Sequence, residues 1–108
     1  MGKELVEVSL EDLKRGKPKY LWTESGVEII AFKEGDSYYA FSSICPHMGG
    51  QLRWDERKKA LACPWHPLTF CIETGASAHH KFKKVNRFHT RVEGGRLVIL
   101  TNAKEDGA

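Results

Sequence analysis

Hydrophobic positions along this chain come in short alternating or β-branched runs, with turn residues between them every ten or so positions. That spacing predicts strands rather than amphipathic helices. The first run is ELVEV at 4–8. Ser9 has the chemistry of an N-cap, so LEDLKR at 10–15 is expected to form a single helical turn that Gly16 ends. KYLWT at 19–23 and VEIIAFK at 27–33 read as strands joined by a tight turn at Ser25-Gly26. EGDS at 34–37 is another turn, and YYAFSS at 38–43 the strand beyond it. DERKK at 55–59 reads as a hairpin tip, ALA at 60–62 as a strand leading to Cys63, and FCI at 70–72 as a short strand stopped by Thr74-Gly75. RFHTRVEGGRLVIL at 87–100 places two strand runs around EGG, a strong hairpin signal. With no repeat and no linker, the pattern predicts one all-β domain spanning 1–108, ordered over about 4–101, with a polar tail at 102–108 that frays.

Length and composition narrow this picture without changing it. A chain of 108 residues has room for one core, and 41% apolar with 29% charged residues is the composition of a folded domain. The net charge of +3 is too small to argue for nucleic acid. MGKELVEVSLEDLKRGK contains no apolar run of signal-peptide length, and nowhere do ~18 apolar residues follow one another, so no membrane span and a cytoplasmic location are expected. Val6 stands where a myristoylation signal wants Ser or Thr. Three cysteines in a reducing compartment point to thiolates that bind something rather than to disulfides.

The candidate chemistry lies in ICPHMGG at 44–50 and CPWHPLTF at 63–70. Together they read C-x-H-x15-C-x2-H, from Cys45 and His47 to Cys63 and His66. Each pair is short, sits at a strand end and is rich in Pro or Gly, so both can project from loops toward one point. Four soft or borderline donors at one point make a metal site. Zinc accepts two cysteines and two histidines, but its usual loops carry two cysteines in one pair and two histidines in the other. Here each loop supplies one of each, the arrangement a two-iron cluster needs if one iron takes both thiolates and the other both imidazoles.

On these residues the chain resembles the Rieske proteins, and among them the small soluble Rieske-type ferredoxins of ring-hydroxylating oxygenase systems, over about residues 5–100. The resemblance implies stacked antiparallel β-sheets with a cluster-binding subdomain formed by two loops. It implies a Rieske-type 2Fe-2S cluster with Cys45 and Cys63 on one iron and His47 and His66 on the other. Neutral imidazoles leave such a cluster less negative than one held by four thiolates, which places its potential in the range of about −150 to +300 mV. The imidazole ring protons bind more tightly once the iron gains an electron, so reduction takes up protons at alkaline pH. High-potential relatives carry a disulfide and hydroxyl donors where this chain has Gly50, Trp65, Leu68 and Phe70. With those donors absent, the expected potential lies toward the low end, near about −150 mV. Pro67 stands where the family commonly has Gly, and removes a backbone N–H after the second histidine.

The function that follows is one-electron transport rather than catalysis. No Gly-rich nicotinamide fingerprint exists, so electrons come from and go to other proteins. The resemblance implies a flavin-dependent NAD(P)H reductase as donor and a terminal oxygenase as acceptor, met transiently by a monomer, with no nucleic acid and no membrane. Alternatives are the small Rieske-like subunit of an assimilatory nitrite reductase, an excised N-terminal domain of an oxygenase, and a structural zinc module. Pro46, Met48, Trp65 and Pro67 are expected to surround the histidines and present an apolar contact. Arg53, Arg57, Lys58, Lys59, Lys81, Lys83, Lys84 and Arg87 lie near the ligand segments in sequence and read as a solvated face or a docking surface for an acidic partner. Cys71 is expected to be a small apolar residue within its strand, Trp22 and Trp54 packing residues, and His89 a surface residue of a strand. A mononuclear iron site from His79, His80 and His89 lacks the second domain that would house it.

Overall fold

The computed structural model describes residues 5–14, 17–23, 26–44, 50–63, 69–73 and 85–104. Among these described residues nine strands form: β1 (Leu5–Ser9), β2 (Lys19–Trp22), β3 (Glu28–Glu34), β4 (Ser37–Ser42), β5 (Arg53–Asp55), β6 (Ala60–Ala62), β7 (Thr69–Cys71), β8 (Phe88–Glu93) and β9 (Arg96–Lys104). A 3-10 turn, Leu10–Asp12, follows β1, ending at Leu13 and so shorter than the helical turn expected over 10–15, and the Ser9 side chain accepts from the Glu11 N–H as a cap should. Three antiparallel sheets result, with strand orders β1-β9-β8, β2-β3-β4 and β5-β6-β7.

The alternation of β3 explains how they stack. Side chains along a strand point to opposite faces with a period of two. Ile30 and Phe32 therefore face one way and pack with Phe41, Leu52, Trp54, Leu61, Cys63, Phe70, Ile72 and Val85. Ile29 and Ala31 face the other way and pack with Val8, Leu13, Ala40, Phe88, Leu97 and Ile99. The middle sheet is thus covered on both faces, and Glu28 through Phe32 are all buried. Phe32 is the hub of the first core: its ring stacks on Trp54 with centroids 4.3 Å apart, and on Tyr39 and Phe41 at 5.5 and 6.1 Å. The β4 edge is tied to the start of β8 by the Phe41–Arg87 bridge and by the Ser42 N–H donating to the Asn86 carbonyl at 2.8 Å.

Hairpin chemistry accounts for the register. Glu93 pairs with Arg96, leaving Gly94 and Gly95 as a two-residue loop with φ of 57° and 80°. Positive φ at both central residues matches the right-handed twist of the flanking strands and is open to glycine without cost.

Two further expectations change. β9 continues to Lys104, which pairs with Phe88 across a register shift, so part of the polar tail is strand; ladder bonds use the backbone and are indifferent to side-chain polarity. Trp22 is 64% exposed rather than packed. It closes edge strand β2 opposite Glu28, whereas Tyr20, two residues earlier on the same face, does reach the core.

Candidate metal centre

The two candidate ligand segments meet the fold at one end of the β5-β6-β7 sheet: the first leaves β4 of the middle sheet and returns just before β5, and the second joins β6 to β7. Arg53 pairs with Ala62 and Ala62 with Thr69, so the start of β5, the end of β6 and the start of β7 lie in one row across the sheet, with β6 between the other two. The first segment is closed by the Ile44–Gln51 bridge and by the Leu52 N–H donating to the Ser43 carbonyl at 2.6 Å. Leu52 adjoins Arg53 as Cys63 adjoins Ala62, so the β5–β6 register sets the bases of the two segments side by side. Cys63 is 5% exposed and packs in the first apolar core. Cys45, His47 and His66 lie outside the described residues, as do Pro46, Met48, Trp65, Pro67 and Leu68. Among the described residues alone, no three metal-binding side chains converge.

A polar frame supports the first segment. Glu28, 9% exposed, accepts from the Ser43 hydroxyl at 2.7 Å through Oε1 and from Gln51 Nε2 at 3.0 Å through Oε2. The Ser43 N–H donates to the Glu28 carbonyl at 3.0 Å, completing the ladder past the end of β3. The Tyr20 hydroxyl donates to the Leu52 carbonyl at 2.6 Å. Burial pushes the Tyr20 phenol above its ordinary range; the Arg53 guanidinium opposes that rise and the Glu28 carboxylate adds to it. None of Tyr20, Glu28, Ser43 and Gln51 stood out as a site residue in the sequence. One signal was there to find: Glu28 is in phase with Ile30 and Phe32, so a charged residue occupies a row that otherwise demands apolar ones.

Other expected features are redistributed by the fold. Arg57, Lys58 and Lys59 occupy the β5–β6 turn, at the end of that hairpin opposite the ligand segments. Lys59 is engaged there with Glu34 at 3.1 Å and Glu56 at 2.8 Å, contacts that raise its pKa. Arg87 lies over the Tyr39 ring and donates to the Glu73 carbonyl. Of the basic residues described, Arg53 is the one that adjoins a ligand segment; Lys81, Lys83 and Lys84 lie outside the described residues. Cys71 is in its strand but on the exposed face, because Phe70 and Ile72 take the inward positions. His89 is exposed on β8 and Trp54 is buried, both as expected, while His79 and His80 lie outside the described residues. Phe70 is 1% exposed and fills core space, so no hydroxyl donor comes from that position.

The donor set suits an iron–sulfur cluster. Cys63 offers a soft thiolate at the wall of an apolar core, the segment beside it carries a second cysteine, and each segment adds an imidazole. Comparison with known proteins agrees. The Rieske [2Fe-2S] domain model matches residues 4–89, a span that includes Cys45, His47, Cys63 and His66. The cytochrome b6-f complex iron-sulfur subunit of Chlorobaculum tepidum is 25% identical over 96 residues, covering 89% of this chain and 52% of that protein. The ferredoxin component of the alkene monooxygenase system of Xanthobacter autotrophicus is 30% identical over 79 residues, covering 68% of this chain and 62% of that protein. The chain therefore spans between half and two thirds of the length of these curated relatives. Among solved structures, the ferredoxin of carbazole 1,9a-dioxygenase from Nocardioides aromaticivorans superposes with a TM-score of 0.78 at 25% identity, covering 92% of this chain and 98% of that one. A nitrite reductase small subunit from Mycobacterium tuberculosis shares the fold, with a TM-score of 0.72 at 17% identity over 92% of this chain and 96% of that one. With the donor chemistry and the family match over residues 4–89 in agreement, this chain belongs to the Rieske [2Fe-2S] domain family.

Proposed function

We propose that this protein is a one-electron carrier that passes electrons from a flavin-dependent NAD(P)H reductase to a terminal oxygenase. Cys45 and Cys63 would hold one iron of its 2Fe-2S cluster, and His47 and His66 the other. The observation that supports this reading most is the near end-to-end match to a ferredoxin, with two cysteines and two histidines present on two segments whose described bases lie side by side at one end of the β5-β6-β7 sheet. The cluster, when bound, supplies a reversible one-electron couple whose potential its imidazole ligands raise. The protein's own part is to seat that couple at one end of the domain and to back it with an apolar core around Phe32, Leu61 and Phe70. The cytoplasm is the compartment this role requires, and among the described residues no helix is long and apolar enough to cross a membrane.

Electron paramagnetic resonance of the dithionite-reduced protein, with iron and sulfide counted on the same sample, tests the ligand set. A rhombic signal from a mixed-valence two-iron cluster supports it, and single Cys45→Ser, His47→Ala, Cys63→Ser and His66→Ala variants should each lose that signal. A colourless sample containing zinc would reject it. The oxygenase role is tested by reconstituting turnover with a reductase and an oxygenase of this class. A nitrite reductase subunit would instead purify in a stable complex with a large partner.

A further inference from the structure

We infer that Glu28 is a positioning residue for the first ligand segment: it clamps both ends of that segment and sets a fixed negative charge behind it, which disfavours reduction of the cluster. The inference rests on reading Cys45 and His47 as ligands. Glu28 continues the Ile30–Phe32 row at the end of β3 nearest the ligand segments. A carboxylate removed from water is costly unless its oxygens are satisfied. Here they are satisfied in a particular way. One oxygen takes the Ser43 hydroxyl and the other the Gln51 amide, so a single side chain spans the two strands that enter and leave 44–50. Gln51 is itself part of the Ile44–Gln51 closure and Ser43 adjoins Ile44, while Tyr20 pins Leu52 next to it.

An ionised carboxylate accepts and does not donate. Ser43 and Gln51 must therefore both point their donors inward, and charge-assisted bonds hold more strongly than neutral ones. A glutamine in place of Glu28 would keep the shape, lose the charge and present its own donors to the same partners. Both partners are uncharged, so the carboxylate's charge is not cancelled within the clamp. A fixed negative charge beside the segment opposes the arrival of an electron. The direction is the same as that expected from the missing hydroxyl donors at Leu68 and Phe70.

Two variants of the cluster-loaded full chain separate clamp from charge. Glu28→Gln is expected to keep iron content and raise the midpoint potential measured by spectroelectrochemistry, with the largest rise at low ionic strength. Gln51→Ala removes one arm at an exposed residue, so the fold is retained. It is expected to speed cluster loss to a chelator by about tenfold and to increase amide exchange over residues 43–52. An unchanged potential in Glu28→Gln, or wild-type cluster loss and exchange in Gln51→Ala, would overturn the inference. Retention of the cluster by Cys45→Ser or His47→Ala would instead remove the ligand reading on which it rests.

Discussion

Tyr20 shows how much a single polar atom decides near the first ligand segment. Its ring packs against the core while its hydroxyl reaches the Leu52 carbonyl, so one side chain anchors edge strand β2 and the exit of that segment together. Tyr20→Phe keeps the packing and removes the bond, and is expected to lower stability by about 0.5–1.5 kcal/mol. Its pH dependence has a definite sign. The folded phenol holds its proton more tightly than the unfolded one, so this contribution is complete below pH 10.0 and declines as pH rises through the higher folded value. Urea unfolding at about pH 8 and about pH 11 should show that the variant loses less stability over the interval than the parent. Glu28 belongs to the same group of residues, and its place in an apolar row was the sequence's one hint that the row had a second purpose.

Among the strands, β3 carries the architecture. Its two faces serve two cores, and Phe32 joins the middle sheet to the ligand-bearing sheet through its stack with Trp54. Phe32→Ala is expected to cost about 3–5 kcal/mol, read from the midpoint of thermal or urea unfolding. Trp22→Ala, in a side chain as large but 64% exposed, is expected to stay within about 0.5 kcal/mol of the parent. The run of apolar residues at 29–32 located β3 to within a residue, because a doubly buried strand reads as an unbroken apolar run. It could not rank the two tryptophans, since indole burial depends on which sheet happens to lie over it. Trp54 lies under the Phe32 stack, and Trp22 sits at the end of an edge strand.

In the protein as a unit, the distribution of charge follows the topology rather than the sequence. Arg57, Lys58 and Lys59 stand close to the ligand segments along the chain, yet the β5–β6 hairpin carries them to its far end, where Lys59 is occupied by Glu34 and Glu56. Two strands of three residues each separate tip from base by roughly 10 Å, about a Debye length at moderate salt. A chain with Arg57→Gln, Lys58→Gln and Lys59→Gln together is therefore expected to exchange electrons with a reductase of the proposed class within about twofold of the parent rate, and with the same salt dependence, in stopped-flow measurements. A large fall in rate would place the docking surface on that turn.

Strand existence, hairpin positions and the ligand motif were legible in the sequence because each depends on near neighbours: period-two burial, glycine at positive φ, and cysteine and histidine one or two residues apart. The side-by-side placement of the bases of the two candidate ligand segments was legible only as a possibility. It depends on the register of Arg53 with Ala62 and of Ile44 with Gln51, and on how the middle sheet stacks on the β5-β6-β7 sheet, which local pattern leaves open. The same holds for the outward face of Cys71 and for the Glu28 clamp. Which side of a strand is covered, and by what, is settled when separate sheets stack, and that energy belongs to packing between sheets rather than to any one run of residues.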